Sequence, residues 1–361
     1  MLMNVRTKTY ELPFSRMYVR HWGMVEAIRE LIQNALDSES PFEYEFANDR
    51  LTIRSRFSRL EPRTLLLGST SKAERTDAIG SFGEGYKIAL LVLTRLGYRV
   101  NVLNGDRIWT PLFRMSRQYQ EEVLHIEERP APERNEGLTF VVWNLSPDDI
   151  ARVKESCLMM QRDLGEVHAV PQGRILRDRP GKLYVGGLYI CETGLKFGYD
   201  ALPTHVRLER DRQTVSTFDL KWLAQQMWFD TERYDEVAAL IEDDAPDMEY
   251  VEHAAPPLVK EACYRLFQKN HPGAILAKDQ KDLEELVERG MTRVVVASSS
   301  GYYGCVTESN SYRNAEGRAV AVPTPEKVLA DWYEAHRRDL PRAAKASFKR
   351  VLGKARDWRN K

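Results

Sequence analysis

Apolar residues recur along this chain at two periods, and the switches between them lay out its first half. From 22 to 38, Val25, Ile28, Leu31, Ile32 and Ala35 return at helical spacing, which predicts an amphipathic helix. Between 42 and 53 the period falls to two. Phe42, Tyr44 and Phe46, then Leu51 and Ile53, flank Asn48-Asp49 and predict a β-hairpin. The helical period returns over 84–96, with Ile88, Leu91, Val92 and Leu96 on the side to be buried. Segments 98–103, 107–115, 123–128 and 138–145 then have strand composition, with a turn at Asn104-Gly105. Ahead of all of these, 1–20 reads as an irregular arm or as an edge strand over 10–14. This order predicts an α+β sandwich, an antiparallel or mixed sheet with helices on one face.

The pattern changes after 146. A helix is expected over 147–164 and a pair of strands over 182–191, followed by the charged run Leu208-Glu209-Arg210-Asp211-Arg212. The stretch 217–268 reads as helical, broken by an acidic run and by Pro256-Pro257. After it, 274–276, 279–289 and 293–297 read as strand, helix and strand. Ser298-Ser299-Ser300-Gly301 reads as an ordinary turn. Pro323 and Pro325 precede a last helical region in which Leu340, Ala344, Phe348, Val351, Leu352, Ala355 and Trp358 can share a face. The expected division is 1–148, a strand-rich 149–216, and a helical, charged 217–361.

The polar residues of the first helix are not scattered. Glu30, Asn34 and Asp37 stand at i, i+4 and i+7, which places them within roughly 60° of one another on a helix. One helix thus offers an acid that can take a proton from water beside an amide oxygen that can ligate a hard cation. Gly80-Ser81-Phe82-Gly83-Glu84-Gly85-Tyr86-Lys87 adds three glycines in six residues, opening onto the second helix. Glycines let a backbone approach a ligand with its N–H groups exposed, and a helix N-terminus favours an anion. Lys87 adds a cation in the first turn.

These segments resemble the motifs of the GHKL ATPases, the group of gyrase, the MutL mismatch-repair proteins, the histidine kinases and the large heat-shock chaperone. Glu30-Leu31-Ile32-Gln33-Asn34-Ala35-Leu36-Asp37 is similar to their N-box, and the 80–87 run to their second glycine box. Gly68-Ser69-Thr70-Ser71-Lys72 resembles the start of their nucleotide lid, and Gly137-Leu138-Thr139-Phe140 their last nucleotide strand. The resemblance spans 8–146 in the family's order and implies a Bergerat-type fold that binds ATP and Mg²⁺. It implies that Glu30 is the general base, that Asn34 ligates Mg²⁺ and that Asp37 supports both. It also implies that Ser69, Thr70, Lys72, Gly80, Phe82, Gly83, Glu84, Gly85, Tyr86 and Lys87 surround the phosphates, with Thr139 helping to hold adenine. Arg210 or Arg212 would reach the γ-phosphate, and nucleotide would close the lid and favour a homodimer.

One box departs from the family. Where Asp-x-Gly-x-Gly is expected, the chain has Ser55-Arg56-Phe57-Ser58-Arg59, so a serine replaces the aspartate that accepts the adenine amino proton. Three outcomes are open: Ser55 with Thr139 and a water reads adenine, another base is preferred, or the pocket hydrolyses nothing and the fold serves binding.

Composition narrows the rest. The chain has 361 residues, 43% of them hydrophobic and 29% charged, enough for two or three domains with cores. No apolar run is long enough to span a bilayer and the first residues lack a signal core, so a cytoplasmic protein is expected. The four cysteines and the histidines are too dispersed to suggest a metal cluster or a disulfide framework. The formal net charge is zero, yet 230–252 holds ten acidic residues and one Arg, while 337–361 holds ten Lys or Arg and two Asp. The basic tail could meet the acidic run or nucleic acid, the latter as in a MutL-like clamp on DNA.

Overall fold

The computed structural model describes residues 7–37, 41–66, 84–206, 216–316 and 325–351, less 338, 339, 342, 343 and 349. The protein is an α+β molecule that divides into two units. The first runs to Val215; the second runs from Ser216 and takes in Ala169–Pro171 and Gly194–Lys196.

Seven strands build the first sheet: Lys8–Ser15 (β1), Phe42–Ala47 (β2), Arg50–Arg56 (β3), Arg99–Asn104 (β4), Arg107–Met115 (β5), Glu122–Pro130 (β6) and Gly137–Trp143 (β7). Their spatial order is β1-β6-β5-β4-β7-β3-β2, and every neighbouring pair is antiparallel. The β2–β3 turn holds Asn48 at φ 54°, and the β4–β5 turn holds Gly105 at φ 64°. Both are left-handed values that asparagine and glycine accept more readily than other residues. β1 pairs along β6, so the first strand is an edge strand of its own sheet.

Alternation divides this sheet into two faces. Leu51, Ile53, Val100, Val102, Trp109, Ile126, Phe140 and Val142 point to the inner face, beneath helices Met24–Leu36 (α1) and Gly85–Arg95 (α2). Ala27, Ile28, Leu31 and Ile32 of α1 and Ala89 to Leu93 of α2 complete one continuous core. Each large apolar side chain so buried contributes about 1.5–3 kcal/mol relative to exposure. α1 opens at Gly23, whose N–H donates to Glu26 Oε2 at 2.9 Å. The connection from β1 into α1 is held by α2. Arg95 donates from Nη1 to the carbonyls of Arg16 (3.3 Å) and Tyr18 (2.9 Å), and from Nη2 to those of Val19 (3.3 Å) and Trp22 (2.9 Å).

The third helix, Pro147–Glu155 (α3), starts as its sequence predicts, with Ser146 Oγ accepting from Asp149 N at 3.1 Å, but it ends well short of 164. The chain leaves the helix because its backbone is claimed by a hairpin. Tyr189 N donates to Ser156 O and Leu158 N to Gly187 O, both at 2.8 Å. That hairpin joins Lys182–Val185 (β10) to Leu188–Glu192 (β11) through Gly186 and Gly187, both at positive φ. With Val167–Val170 (β8), Gly173–Leu176 (β9) and Gly198–Ala201 (β12) it forms a second sheet, ordered β11-β10-β12-β9-β8. β10 and β12 run parallel, so this sheet is mixed.

The second unit is mainly helical. Thr217–Phe229 (α4), Tyr234–Glu242 (α5), Val251–Ala254 (α6) and Pro257–Asn270 (α7) follow one another, with Pro257 in the first turn of α7. Ile275–Ala277 (β13), Gln280–Glu288 (α8) and Val294–Val296 (β14) make a parallel strand–helix–strand unit. Ser300–Thr307 (α9), Asn310–Glu316 (α10) and Pro325–His336 (α11) complete it. Ser299 caps α9, its Oγ accepting from Tyr302 N at 3.1 Å, so the serine run is a helix start.

Candidate functional site

α1 and α2 lie against each other on the inner face of the first sheet, which puts the Glu30, Asn34, Asp37 row and the start of α2 on one helix pair. An amphipathic surface helix would leave that row in water. Here α1 is covered on nearly all sides: Glu30 is 0% exposed, Gln33 and Asp37 are buried, and Asn34 is half-buried. Carboxyl groups are rarely enclosed without a polar purpose, since removing a charge from water is costly. Asn34 Nδ2 donates to the Glu30 carbonyl at 2.7 Å. One of the amide's two N–H donors is thereby tied to the helix, and this turns its oxygen Oδ1 outward as the acceptor it can offer a cation.

At the start of α2, Glu84 stands at the N-cap and its carbonyl accepts from Ile88 N at 3.0 Å. The first-turn N–H groups from Gly85 on have no partner further up the helix, which makes this end attractive to an anion. The side chains of Tyr86 and Lys87 turn to the short 3₁₀ helix Pro62–Leu65 instead. Tyr86 Oη and Thr64 Oγ1 lie 2.9 Å apart, and burial pushes the phenol up to about 12, with the Thr64 hydrogen bond opposing it. Lys87 is wholly buried, and its ammonium donates to the carbonyls of Thr64 (2.9 Å) and Leu66 (2.6 Å). Burial lowers its pKa, and nearby Glu84 partly offsets this. Lys87 therefore braces the 62–66 turn against α2. Thr64 was not legible as a partner, because a threonine in a turn carries no motif.

Ser55 and Thr139 lie on opposite faces of the sheet. In the β3–β7 register, Ser55 stands opposite Leu138 and Arg54 opposite Thr139. Residues in register share a face, so Ser55 lies inward with Leu51 and Ile53 while Thr139 lies outward. Thr139 Oγ1 there accepts from Asn135 Nδ2 at 3.2 Å. Of the three outcomes open for the altered box, the one in which Ser55 and Thr139 read adenine together is disfavoured, because the sheet's backbone runs between them. The inward neighbour of Ser55 across β7 and β4 is Asn104, whose amide is taken up by Leu60, donating to its carbonyl at 2.7 Å and accepting from its N–H at 3.1 Å.

Ser69, Thr70, Lys72, Gly80, Phe82 and Gly83 lie outside the described residues, as do Arg210 and Arg212. Among the described residues no group of three His, Cys, Asp or Glu is placed to hold a metal ion. No described helix is long and apolar enough to cross a membrane. In the second unit the acidic run finds cations close by. Asp235 pairs with Arg265 (2.7 Å), Asp243 with Lys196 (3.3 Å), and Glu249 with Lys221.

No protein-family model matches the chain. It is similar to an uncharacterized protein of Mycoplasma pneumoniae, 24% identical over 213 residues that cover 54% of this chain and 86% of that protein.

Proposed function

We propose that this protein is a Mg²⁺-dependent ATP-binding and ATP-hydrolysing switch of the GHKL type. The observation that carries the reading is the α1 row. A fully buried Glu30 lies one turn from an asparagine that donates back to the Glu30 carbonyl, and Asp37 is buried on the same stripe. This helix packs on α2, which starts at the end of the glycine segment.

The donor set fits the ion. Mg²⁺ keeps several waters and is commonly held by one or two protein oxygens together with substrate phosphates, so Asn34 Oδ1 suffices without a cluster of carboxylates. Bound Mg²⁺ would neutralise charge on the phosphates. Glu30 orients the attacking water and accepts its proton, Asp37 supports Glu30 and Asn34, and the first turn of α2 takes phosphate oxygens. Arg210 or Arg212, lid closure over Ser69, Thr70 and Lys72, and nucleotide-dependent dimerisation belong to this reading on the strength of the motifs alone.

Phosphate release from ATP and from GTP with Mg²⁺, in the wild type and in Glu30→Ala, tests the proposal. Turnover that disappears in the variant while nucleotide still binds supports it. A second reading, a non-catalytic binding protein on the same fold, draws on two observations: Thr139 faces away from Ser55, and the Lys87 ammonium is engaged by carbonyls. Absence of both binding and turnover with either nucleotide would overturn the switch and leave the second reading standing.

A further inference from the structure

A cavity of about 260 Å³ lies in the first unit, and none of Glu30, Asn34 and Asp37 lines it. It is walled by the start of α1 (Val25, Glu26, Arg29), the end of α3 and the β10–β11 hairpin. Arg29 and Tyr184 are buried, at 4% and 0% exposure. Arg29 Nη1 donates to the Tyr189 carbonyl at 2.9 Å. The Tyr184 hydroxyl is enclosed in this wall, and the Arg179 guanidinium behind it donates toward the phenol oxygen, leaving the phenol's own O–H to be placed. An O–H left without an acceptor in a protein interior carries a desolvation cost, which an acceptor placed in the cavity beside Tyr184 would remove.

The carboxylates of this cavity are already engaged. Glu26 accepts from Gly23 N, Glu155 from Lys182 Nζ, and Glu192 from Tyr189 Oη at 3.4 Å. The enclosed side of the cavity is thus rich in donors, with Arg152 as a further cation in its wall. Three carboxylates in the wall repel a polyanion, while the Tyr184 and Tyr189 rings, 5.6 Å apart in an edge-to-face arrangement, offer an apolar surface with Val25. The volume falls below the usual range for drug-sized ligands.

The geometry points to a binding site for a small monocarboxylate with a compact apolar or aromatic body, its carboxylate received by Tyr184 Oη and the neighbouring guanidinium groups. Titration calorimetry on the full chain with benzoate, and with benzamide as its neutral isostere, tests this. Benzoate is expected to bind about 10-fold more tightly than benzamide, and Tyr184→Phe to weaken benzoate by about 10-fold, the worth of one hydrogen bond to a charged group. Arg152→Ala, an exposed substitution on α3 that leaves the fold intact, is expected to weaken benzoate by about 3-fold, less so at high salt. No saturable binding of benzoate, equal affinity for benzamide, or an affinity unchanged in both variants would overturn the assignment. The last result would mean that Tyr184 and Arg179 serve only each other.

Discussion

The two faces of the seven-stranded sheet use the same strands for different ends. On the inner face, polar groups are few and enclosed: Ser55, Asn104, and Glu128, whose Oε2 receives Trp109 Nε1–H at 2.9 Å. On the outer face they form pairs along the strands. Asn135 donates to Thr139, Thr110 to Asn101, and Ser116 Oγ to Glu11, whose other oxygen lies 3.3 Å from His125 Nε2. A polar residue under the helices must answer to the core or to a ligand, whereas one on the outer face need answer only to its neighbours. Burial alone does not separate the two, since Thr139 is as hidden as Ser55. The register does.

Substitutions on either face sharpen this contrast. The largest effect is expected at Glu30, where Glu30→Ala should lower the rate of phosphate release by about 10²–10⁴-fold, the usual worth of a general base. Parallel measurement of nucleotide binding separates loss of chemistry from loss of the site. Next comes Lys87→Met, which leaves the Thr64 and Leu66 carbonyls without their shared donor and should cost about 2–3 kcal/mol in urea denaturation, with or without nucleotide. A variant of unchanged stability but weakened nucleotide affinity would return Lys87 to the phosphates.

A smaller effect depends on pH. The Tyr86 phenol is raised from 10.0 to about 12 by burial, so the folded state holds its proton longer than the unfolded chain does. Its contribution is complete below pH 10 and fades as pH rises toward 12. Over that window it amounts to about 2 kcal/mol at most. Thermal melts from pH 9 to 12 should therefore fall less steeply for Tyr86→Phe than for the wild type. The smallest effect belongs to the outer face. Thr139→Val should cost no more than about 1 kcal/mol through the lost Asn135 hydrogen bond and leave nucleotide affinity unchanged. A marked loss of nucleotide affinity would break the division between the faces.

Much of the fold was legible because one period dominated each segment. The run of Val25, Ile28, Leu31, Ile32 and Ala35 predicted α1, and the Phe42 to Ile53 alternation predicted the β2–β3 hairpin with its turn at Asn48-Asp49. The length of α3 was not legible, because its end is imposed by backbone bonds from Gly187 and Tyr189, some thirty residues on, that leave no mark on the local pattern. The α1 row was readable as a stripe from its i, i+4, i+7 spacing, but its burial was not, since that depends on what covers the helix. Thr139 shows the converse limit. A three-residue motif names a strand position, while the face it occupies follows from alternation against Leu138 and Phe140, both of them buried with the inner core.

The edge strand has a consequence for the chain during its synthesis. β1 covers Lys8–Ser15, yet its one partner strand among the described residues, β6, begins at Glu122. At about 5–20 residues per second, the first strand must wait on the order of 5–20 s after leaving the ribosome before its partner exists. Throughout that interval its apolar residues Tyr10, Leu12 and Phe14 stand among Lys8, Glu11 and Arg16, charges that keep the waiting strand from pairing with its copies on neighbouring ribosomes.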